Sequence, residues 1–213
     1  MSSENQRPVL QSAVNPVMGA APVLIAMKKV TAKTAKDIAQ YFDFQEEQCQ
    51  SLLSEKQTPA EFLQALIDNG HYYDAVNFLA HAIPVRESVW WACVCVRYHI
   101  ESSDVKCKLA LKAAEAWVYD PSEQNRRVAE KHAEEGGYAT AASWAAAAAF
   151  WSGGSIIAVG EPAVEPAPYL YAHAVAGAIV MAAGLGAPDE AEVVQRYQTY
   201  LQHGINIANG SNG

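Results

Sequence analysis

Positive charge is scarce in this sequence. Its 213 residues include 15 Lys and Arg against 23 Asp and Glu, which gives a formal net charge of −8. Proteins that bind nucleic acids or anionic membranes present clustered basic side chains, because these side chains release the counterions held by phosphate groups. The composition therefore predicts that neither nucleic acid nor a membrane surface is a partner.

Long apolar runs are missing as well. The apolar stretch near the N-terminus, residues 9–27, is interrupted by Asn15, Gly19 and two prolines, and only one arginine precedes it. A signal peptide or a membrane-spanning helix needs a continuous apolar core. We therefore expect a protein of the cytoplasm.

The N-terminal residues 1–30 also lack a helical period. They contain three prolines and few charges, which predicts a less ordered arm with an extended apolar segment at Val23, Leu24 and Ile25. Two interpretations of this apolar segment stay open. The arm packs along the folded domain, or a partner protein captures it through these three residues.

Signatures of catalysis are absent from the sequence. It contains no Walker A loop, no G-x-G-x-x-G after a predicted strand, no H-E-x-x-H and no G-x-S-x-G. The four cysteines are expected to be reduced thiols in the cytoplasm. Cys93 and Cys95 point to different faces of a helix, so they do not ligate one ion together, and the six histidines are scattered. We expect no enzymatic activity, no metal and no cofactor.

Alanine and helix-end signals dominate what is present. Apolar residues make up 51% of the chain, and the excess of alanine favours close contacts between helices. Thr58 before Pro59 predicts the start of a helix, and Asn69-Gly70 predicts its end. The charge-rich segment 121–137 predicts a helix solvated on most sides.

Together these signals predict an all-α fold. We expect a compact bundle of about seven to nine helices, arranged as helical hairpins. A single domain is predicted to span residues 31–209, with a Gly/Pro-rich loop at 152–168 and a polar tail at 210–213.

The segment 84–99, PVRESVWWACVCVRYH, is the most unusual part of the sequence. Its Val, Trp, Cys and Tyr residues favour a strand by propensity alone. Helical neighbours on both sides predict a helix instead, because a lone strand would leave its backbone groups unpaired. A helix that is apolar almost all round is a buried, central one.

Charged residues at the start of this segment have two interpretations. The i, i+4 spacing of Arg86 and Trp90 predicts a guanidinium lying over the indole. Glu87 is expected to pair with a distant arginine such as Arg97 or Arg126. We interpret this network as structural, and the alternative is an interface anchor, because Trp and Arg dominate binding hot spots.

A competing hypothesis concerns Cys95 and His99, which also have i, i+4 spacing. An imidazole could activate the thiol, and the chain would then be a helical enzyme or small-ligand-binding protein with a Trp/Cys/His pocket. A reactive thiolate needs partial exposure and positive surroundings, which an apolar helix does not offer. The structural interpretation is therefore favoured, with the pocket kept as the alternative.

Two segments resemble a bacterial family of unknown function. Members of that family share a Pro-x-Arg-Glu-x-x-Trp-Trp-Ala-Cys core and a later Trp-Ser-Gly-Gly-Ser loop rich in proline, and the resemblance covers about residues 58–184. The positions that carry it are Pro84, Arg86, Glu87, Trp90, Trp91, Ala92 and Cys93 in the core, and 151–155 in the loop. Genes of this kind resemble neighbours of type VI secretion effector genes, which implies a small adaptor or co-chaperone for effector loading.

The leading hypothesis is thus a non-enzymatic cytoplasmic adaptor or co-chaperone. Its expected partner is another protein, an effector or the chaperone of an effector, with self-association as a further option. Besides the N-terminal arm, the predicted partner contacts lie in the loop, at Trp151, Gly153, Gly154, Ile156 and Ile157.

Overall fold

Helices account for all regular secondary structure in the computed structural model, which describes residues 27–100, 104–158 and 160–213. The ten helices in these ranges are α1 (Lys36–Ala39), α2 (Glu47–Leu52), α3 (Pro59–Asp68), α4 (Tyr72–Ala82), α5 (Val85–Arg97), α6 (Val105–Tyr119), α7 (Glu123–Glu135), α8 (Ala141–Phe150), α9 (Leu170–Gly184) and α10 (Glu190–Ala208). The all-α prediction is confirmed. The count exceeds seven to nine because α1 and α2 are short helices of 4 and 6 residues.

Polar side chains start most of the longer helices. Thr58 and Glu61 form a reciprocal capping box at the start of α3, and Pro59 occupies its first turn. Gly70, with φ of 77°, follows Asn69 at the end of α3. Both predicted boundaries are confirmed, because a left-handed glycine ends a helix without steric cost. Side-chain caps recur at Asp104, Ser122, Thr140 and Asp189.

Helix α5 lies at the centre of the bundle. It contacts α6, α8, α9 and α10. The prediction of a helix rather than a strand is confirmed, because a helix pairs its own backbone groups inside the core. Its buried residues are Ser88, Val89, Trp91, Ala92, Cys93, Cys95 and Val96.

The alanine-rich segments form α8 and α9, which pack along each other. Every residue of α8 except Trp144 is buried, because α6 and α7 enclose the helix on its other sides. Small side chains allow these helix axes to approach closely. Among the helices of the described ranges, none has both the length and the apolarity to cross a membrane.

Helix α10 packs against α4 and α5. Its Gly204 has no room for a side chain, since a Cβ there would lie 2.6 Å from both Leu79 Cδ2 and Trp91 Cε2. The indole Nε1 of Trp91 donates a hydrogen bond to the Tyr200 carbonyl at 2.6 Å. Trp91 therefore fixes the position of α10 on α5 through both contact and hydrogen bonding.

Helix α7 is half-buried or exposed at most positions, as predicted, and buries one side. Arg126 is only 4% exposed, and Ala129 and Ala133 are fully buried. The charge pattern alone does not reveal that the Arg126 guanidinium is satisfied inside the protein. Its partners are Glu123 and the carbonyls of Phe150 and Ser155.

Candidate binding surface around Trp90

The unusual segment 84–99 divides between the inside and the outside of the bundle. Helical periodicity turns Trp91 and Cys95 inward, where both are fully buried. Arg86, Glu87 and Trp90 face outward and line a surface groove of about 380 Å³. The segment thus contributes both to the core and to a surface, which the prediction of a wholly buried helix did not foresee.

The groove lies where α5, the end of α6 and the end of α10 meet. Its walls include Arg86, Glu87, Trp90, Lys29, Val118, Tyr119, Ile207, Ser211 and Asn212. Aromatic, aliphatic and charged groups are therefore within reach of one bound segment, which is the composition of binding hot spots.

Arg86 holds the C-terminal end of α6. Its Nε donates to the Val118 carbonyl at 2.6 Å, and its Nη2 donates to the Tyr119 carbonyl at 3.3 Å. These carbonyls belong to the last residues of the helix, where they lack helical partners and attract cations. The predicted stacking of Arg86 on Trp90 is therefore wrong, because the α6 carbonyls take the guanidinium.

A different arginine covers the Trp90 indole. The Arg97 guanidinium carbon lies 5.1 Å from the ring centroid, and Nε of Arg97 donates to Glu115 at 3.1 Å. Glu87 instead pairs with Lys29, whose Nζ is 2.9 Å from its carboxylate. The predicted pairing of Glu87 with Arg97 or Arg126 is wrong. Sequence spacing does not show that Lys29, which precedes α1, lies beside α5.

Two aromatic side chains lie together in the groove. The Trp90 and Tyr119 rings meet edge to face with centroids 6.2 Å apart, and Tyr119 is 75% exposed. The Trp90 Nε1 donates to the Asn212 backbone carbonyl at 2.9 Å. Trp90 is thus held in one orientation by Arg97, Tyr119 and the tail, while Tyr119 is open to solvent.

The exposed side of α6 continues this surface. Val105 is 71% exposed and Leu109 is 41% exposed, and both lie on the same stripe of the helix as Lys112 and Tyr119. Apolar side chains beside lysines on the outward stripe of a helix are the signal that sequence analysis could have used. It was missed because apolar residues at helical spacing predict burial on average.

The Gly/Pro-rich loop that follows α8 is tied to α7 by two arginines. Arg126 Nη1 donates to the Phe150 carbonyl and Nη2 to the Ser155 carbonyl, both at 2.8 Å. Arg127 Nη2 donates to the carbonyls of Ser155 at 2.9 Å and Ile157 at 2.8 Å. Hydrogen bonds from the Arg126 side chain, with a further contribution from Arg127, lower the pKa of Glu123 to about 2.

Gly154 is required where the loop crosses Arg126. Its φ is 68°, and a Cβ there would lie 3.2 Å from the guanidinium. Gly153 precedes this crossing, and Trp151 stacks on Tyr138 with ring centroids 6.0 Å apart. Trp151 and Gly154 were predicted to contact a partner, and in the structure both contact residues of the chain itself.

The remaining predicted contacts divide between the loop and the arm. Ile156 donates its backbone N–H to the Val164 carbonyl at 2.8 Å, and Ile157 is 37% exposed. Val23, Leu24 and Ile25 lie outside the described residues. Among the predicted partner-contact residues that the structure describes, Ile157 is the large apolar side chain that is exposed.

Residues 62–208 match a family of unknown function, DUF6931. The chain belongs to this family. The matched region begins within α3 and includes the Trp90 surface and the arginine-held loop, but not Lys29 or the tail residues 211–212. No match was found among curated proteins or among solved structures.

A cavity of about 610 Å³ lies within the DUF6931 region, near the C-terminal ends of α5 and α9 and the N-terminal ends of α6 and α8. His99 lines it, whereas Cys95 does not, and burial raises the pKa of the Cys95 thiol well above its ordinary value. The thiol in the lining is that of Cys107, whose pKa burial also raises. The structure thus does not bring together the predicted Cys95–His99 pair in one pocket.

Sequence reasoning also missed Arg196 of the DUF6931 region, which lines the same cavity from α10. Residues so far apart in the chain carry no common spacing, so no sequence signal links Arg196 with His99. Within the described ranges, no group of three or more His, Cys, Asp or Glu side chains is placed to hold a metal ion.

Proposed function

We propose that this DUF6931 chain is a non-enzymatic adaptor or co-chaperone that binds another protein through the groove around Trp90. The partner is an effector of a type VI secretion system or the chaperone of such an effector. Support for a protein partner comes from the geometry of the groove. The secretion system is inferred only from the resemblance of segments 84–93 and 151–155 to a family whose genes resemble neighbours of type VI secretion effector genes.

One observation carries the proposal. Trp90, Arg86 and Tyr119, which is 75% exposed, line one groove, and Arg97 lies over the Trp90 ring. Trp, Tyr and Arg are the residues that contribute most binding energy at protein interfaces, and they do so from preorganised pockets. Trp90 needs little further ordering on binding, because Arg97 and the Asn212 carbonyl already fix its ring.

The charge of the surface points to the chemistry of the partner. The chain is acidic overall, with a net charge of −8, yet Lys106, Lys108 and Lys112 all lie on exposed positions of α6. Basic residues beside exposed Val105 and Leu109 favour a partner segment that combines acidic and apolar side chains. Charge complementarity of this kind speeds association and excludes basic competitors.

The test is affinity purification of the tagged full chain at its native expression level, followed by mass spectrometry. Three chains are compared: the natural sequence, Tyr119→Glu, and the matched control Tyr73→Glu on α4, where the tyrosine is 40% exposed. Loss of a hot-spot aromatic costs about 2 kcal/mol or more, roughly a thirtyfold weaker Kd. We expect one protein to be enriched with the natural chain and with Tyr73→Glu, and to be lost with Tyr119→Glu.

Each outcome has a clear consequence. An enriched effector or effector chaperone, bound again by the purified chain in calorimetry, supports the full proposal. Enrichment of an unrelated protein that still depends on Tyr119 supports the adaptor and removes the link to secretion. Equal recovery with all three chains, or no reproducible partner, contradicts the groove as a binding site, and light scattering then tests self-association.

A further inference from the structure

The cavity near His99 has the size and lining of a small-molecule site. Its volume of about 610 Å³ lies within the range of roughly 300–1,000 Å³ that is usual for ligand pockets. Much of the wall is apolar and comes from Val96, Ile100, Ala142, Met181, Ala182 and Leu185. Such a wall binds the hydrocarbon part of a ligand by removing apolar surface from water.

Arg196 supplies a fixed positive charge to this cavity. Its Nε donates to Glu192 at 3.0 Å, and its Nη1 donates to the carbonyls of Ala183 at 3.2 Å and Leu185 at 2.7 Å. These bonds hold the guanidinium plane in place. Within the described residues Nη2 makes no hydrogen bond, so it can donate to an oxygen of a ligand.

His99 stands beside this arginine and between two cavities. It lines the large cavity together with Arg196, and both residues also line a smaller one of about 230 Å³. Its Nε2 lies 3.0 Å from the Tyr200 hydroxyl. Burial, and then the Arg196 charge, lower the pKa of His99. A negative charge bound at Arg196 would act in the opposite direction, because it stabilises the imidazolium.

We propose that this cavity binds a small organic monocarboxylate, with the carboxylate on Arg196 and an apolar body against Val96 and Ile100. A single acid group is preferred for an electrostatic reason. Asp104 also lines the cavity, and its carboxylate already accepts the Cys107 N–H at 2.8 Å. A second carboxylate on the ligand would be repelled by Asp104, so dicarboxylates bind less well. This proposal does not depend on the protein-binding groove.

The test uses octanoate as the probe, with octan-1-ol and octanedioate as matched comparisons, titrated into the full chain by calorimetry. Octanoate is expected to bind at least tenfold more tightly than either comparison, which corresponds to about 1.4 kcal/mol. In NMR titrations the pKa of His99 is expected to rise when octanoate is bound. Equal affinity for octan-1-ol, or a His99 pKa that octanoate does not change, overturns the proposal.

Two variants locate the site. Arg196→Gln removes the charge and is expected to weaken octanoate binding about tenfold or more. Because Arg196 also binds the end of α9, a second variant avoids that contact: Ala139→Trp places a large ring at an exposed position of the lining. It is expected to abolish binding, while Ala163→Trp, exposed in the loop elsewhere, leaves binding unchanged. Octanoate affinity that survives Ala139→Trp contradicts the assignment to this cavity.

Discussion

Trp90 and Trp91 are neighbours in the sequence and lie in opposite environments. Trp91 is fully buried, and its Nε1 donates to the Tyr200 carbonyl of α10 at 2.6 Å. Trp90 faces a surface groove, and its Nε1 donates to a carbonyl of the tail at 2.9 Å. One residue along a helix turns a side chain by about 100°. Position on the helix therefore decides that one indole packs in the core and the other lines a surface groove.

The largest effect is expected from Trp91→Ala. The substitution removes a large buried ring and leaves a cavity between α4, α5 and α10, so the free energy of unfolding should fall by about 3–5 kcal/mol. Urea titration followed by circular dichroism measures it, with Trp90→Ala as the matched control. A loss that is equal in the two variants would mean that the inner and outer tryptophans contribute alike to stability.

Gly204→Ala probes the contact that Trp91 makes with α10. Alanine favours a helix over glycine by about 1 kcal/mol, yet its Cβ would lie 2.6 Å from Leu79 and Trp91. Overpacking at this point is expected to lower the free energy of unfolding by about 2–3 kcal/mol. Gly184→Ala on α9 is the control, because nothing lies within 4 Å of its added Cβ. If both variants stabilise the protein, α10 does not pack on Trp91 as closely as described.

His81 makes the interior sensitive to pH. Its Nδ1 donates to the Asn77 carbonyl at 2.7 Å, and its Nε2 is buried with no hydrogen-bond partner among the described residues. The rings around it belong to Phe42, Tyr169 and His173. Burial lowers the pKa of His81 to about 4. The folded state thus binds fewer protons than the unfolded state, and its stability is lost as pH falls from about 6.5 towards 4.

Between pH 7.5 and pH 5 this single group should lower the free energy of unfolding by about 2 kcal/mol. Chemical denaturation at the two pH values measures the change. His81→Phe keeps a ring among the same neighbours and removes the titration, so its stability should fall by about 2 kcal/mol less over the same interval. A decrease of the same size in both proteins would assign the pH dependence to other groups.

The sequence could predict features that depend on a few neighbouring residues, but not contacts between distant parts of the chain. The capping signals at Thr58 and Gly70 act over a few residues, and the helical course of 85–97 follows from its neighbours, so these predictions are confirmed. The partners of Arg86 and Glu87 come from α6 and from the chain before α1. Such contacts depend on how distant elements return to α5, and no local spacing encodes them.

The candidate surface was harder to predict for a related reason. The Trp-Trp pair marked the right helix, but apolar residues predict burial on average and do not identify which of two adjacent rings faces solvent. Tyr119 and the cavity arginine Arg196 come from α6 and α10, so their positions beside Trp90 and His99 were not predictable from one sequence. Arg97 follows Trp90 by two turns on α5, and this spacing could have predicted their contact. The burial of Arg126 was not predictable, because a buried guanidinium requires carbonyl partners that only the folded loop provides.

The smallest effect on stability is expected from a substitution in the groove that Trp90 lines. Tyr119 is 75% exposed and meets Trp90 only at a ring edge, so Tyr119→Ala should change the free energy of unfolding by about 0.5 kcal/mol or less. Thermal unfolding measures this, and Tyr200→Ala, which truncates a side chain only 1% exposed, provides the contrasting loss. A small effect on folding would leave Tyr119 available for the proposed binding. A large loss of stability in Tyr119→Ala would instead make Tyr119 part of the structural framework, like Trp91.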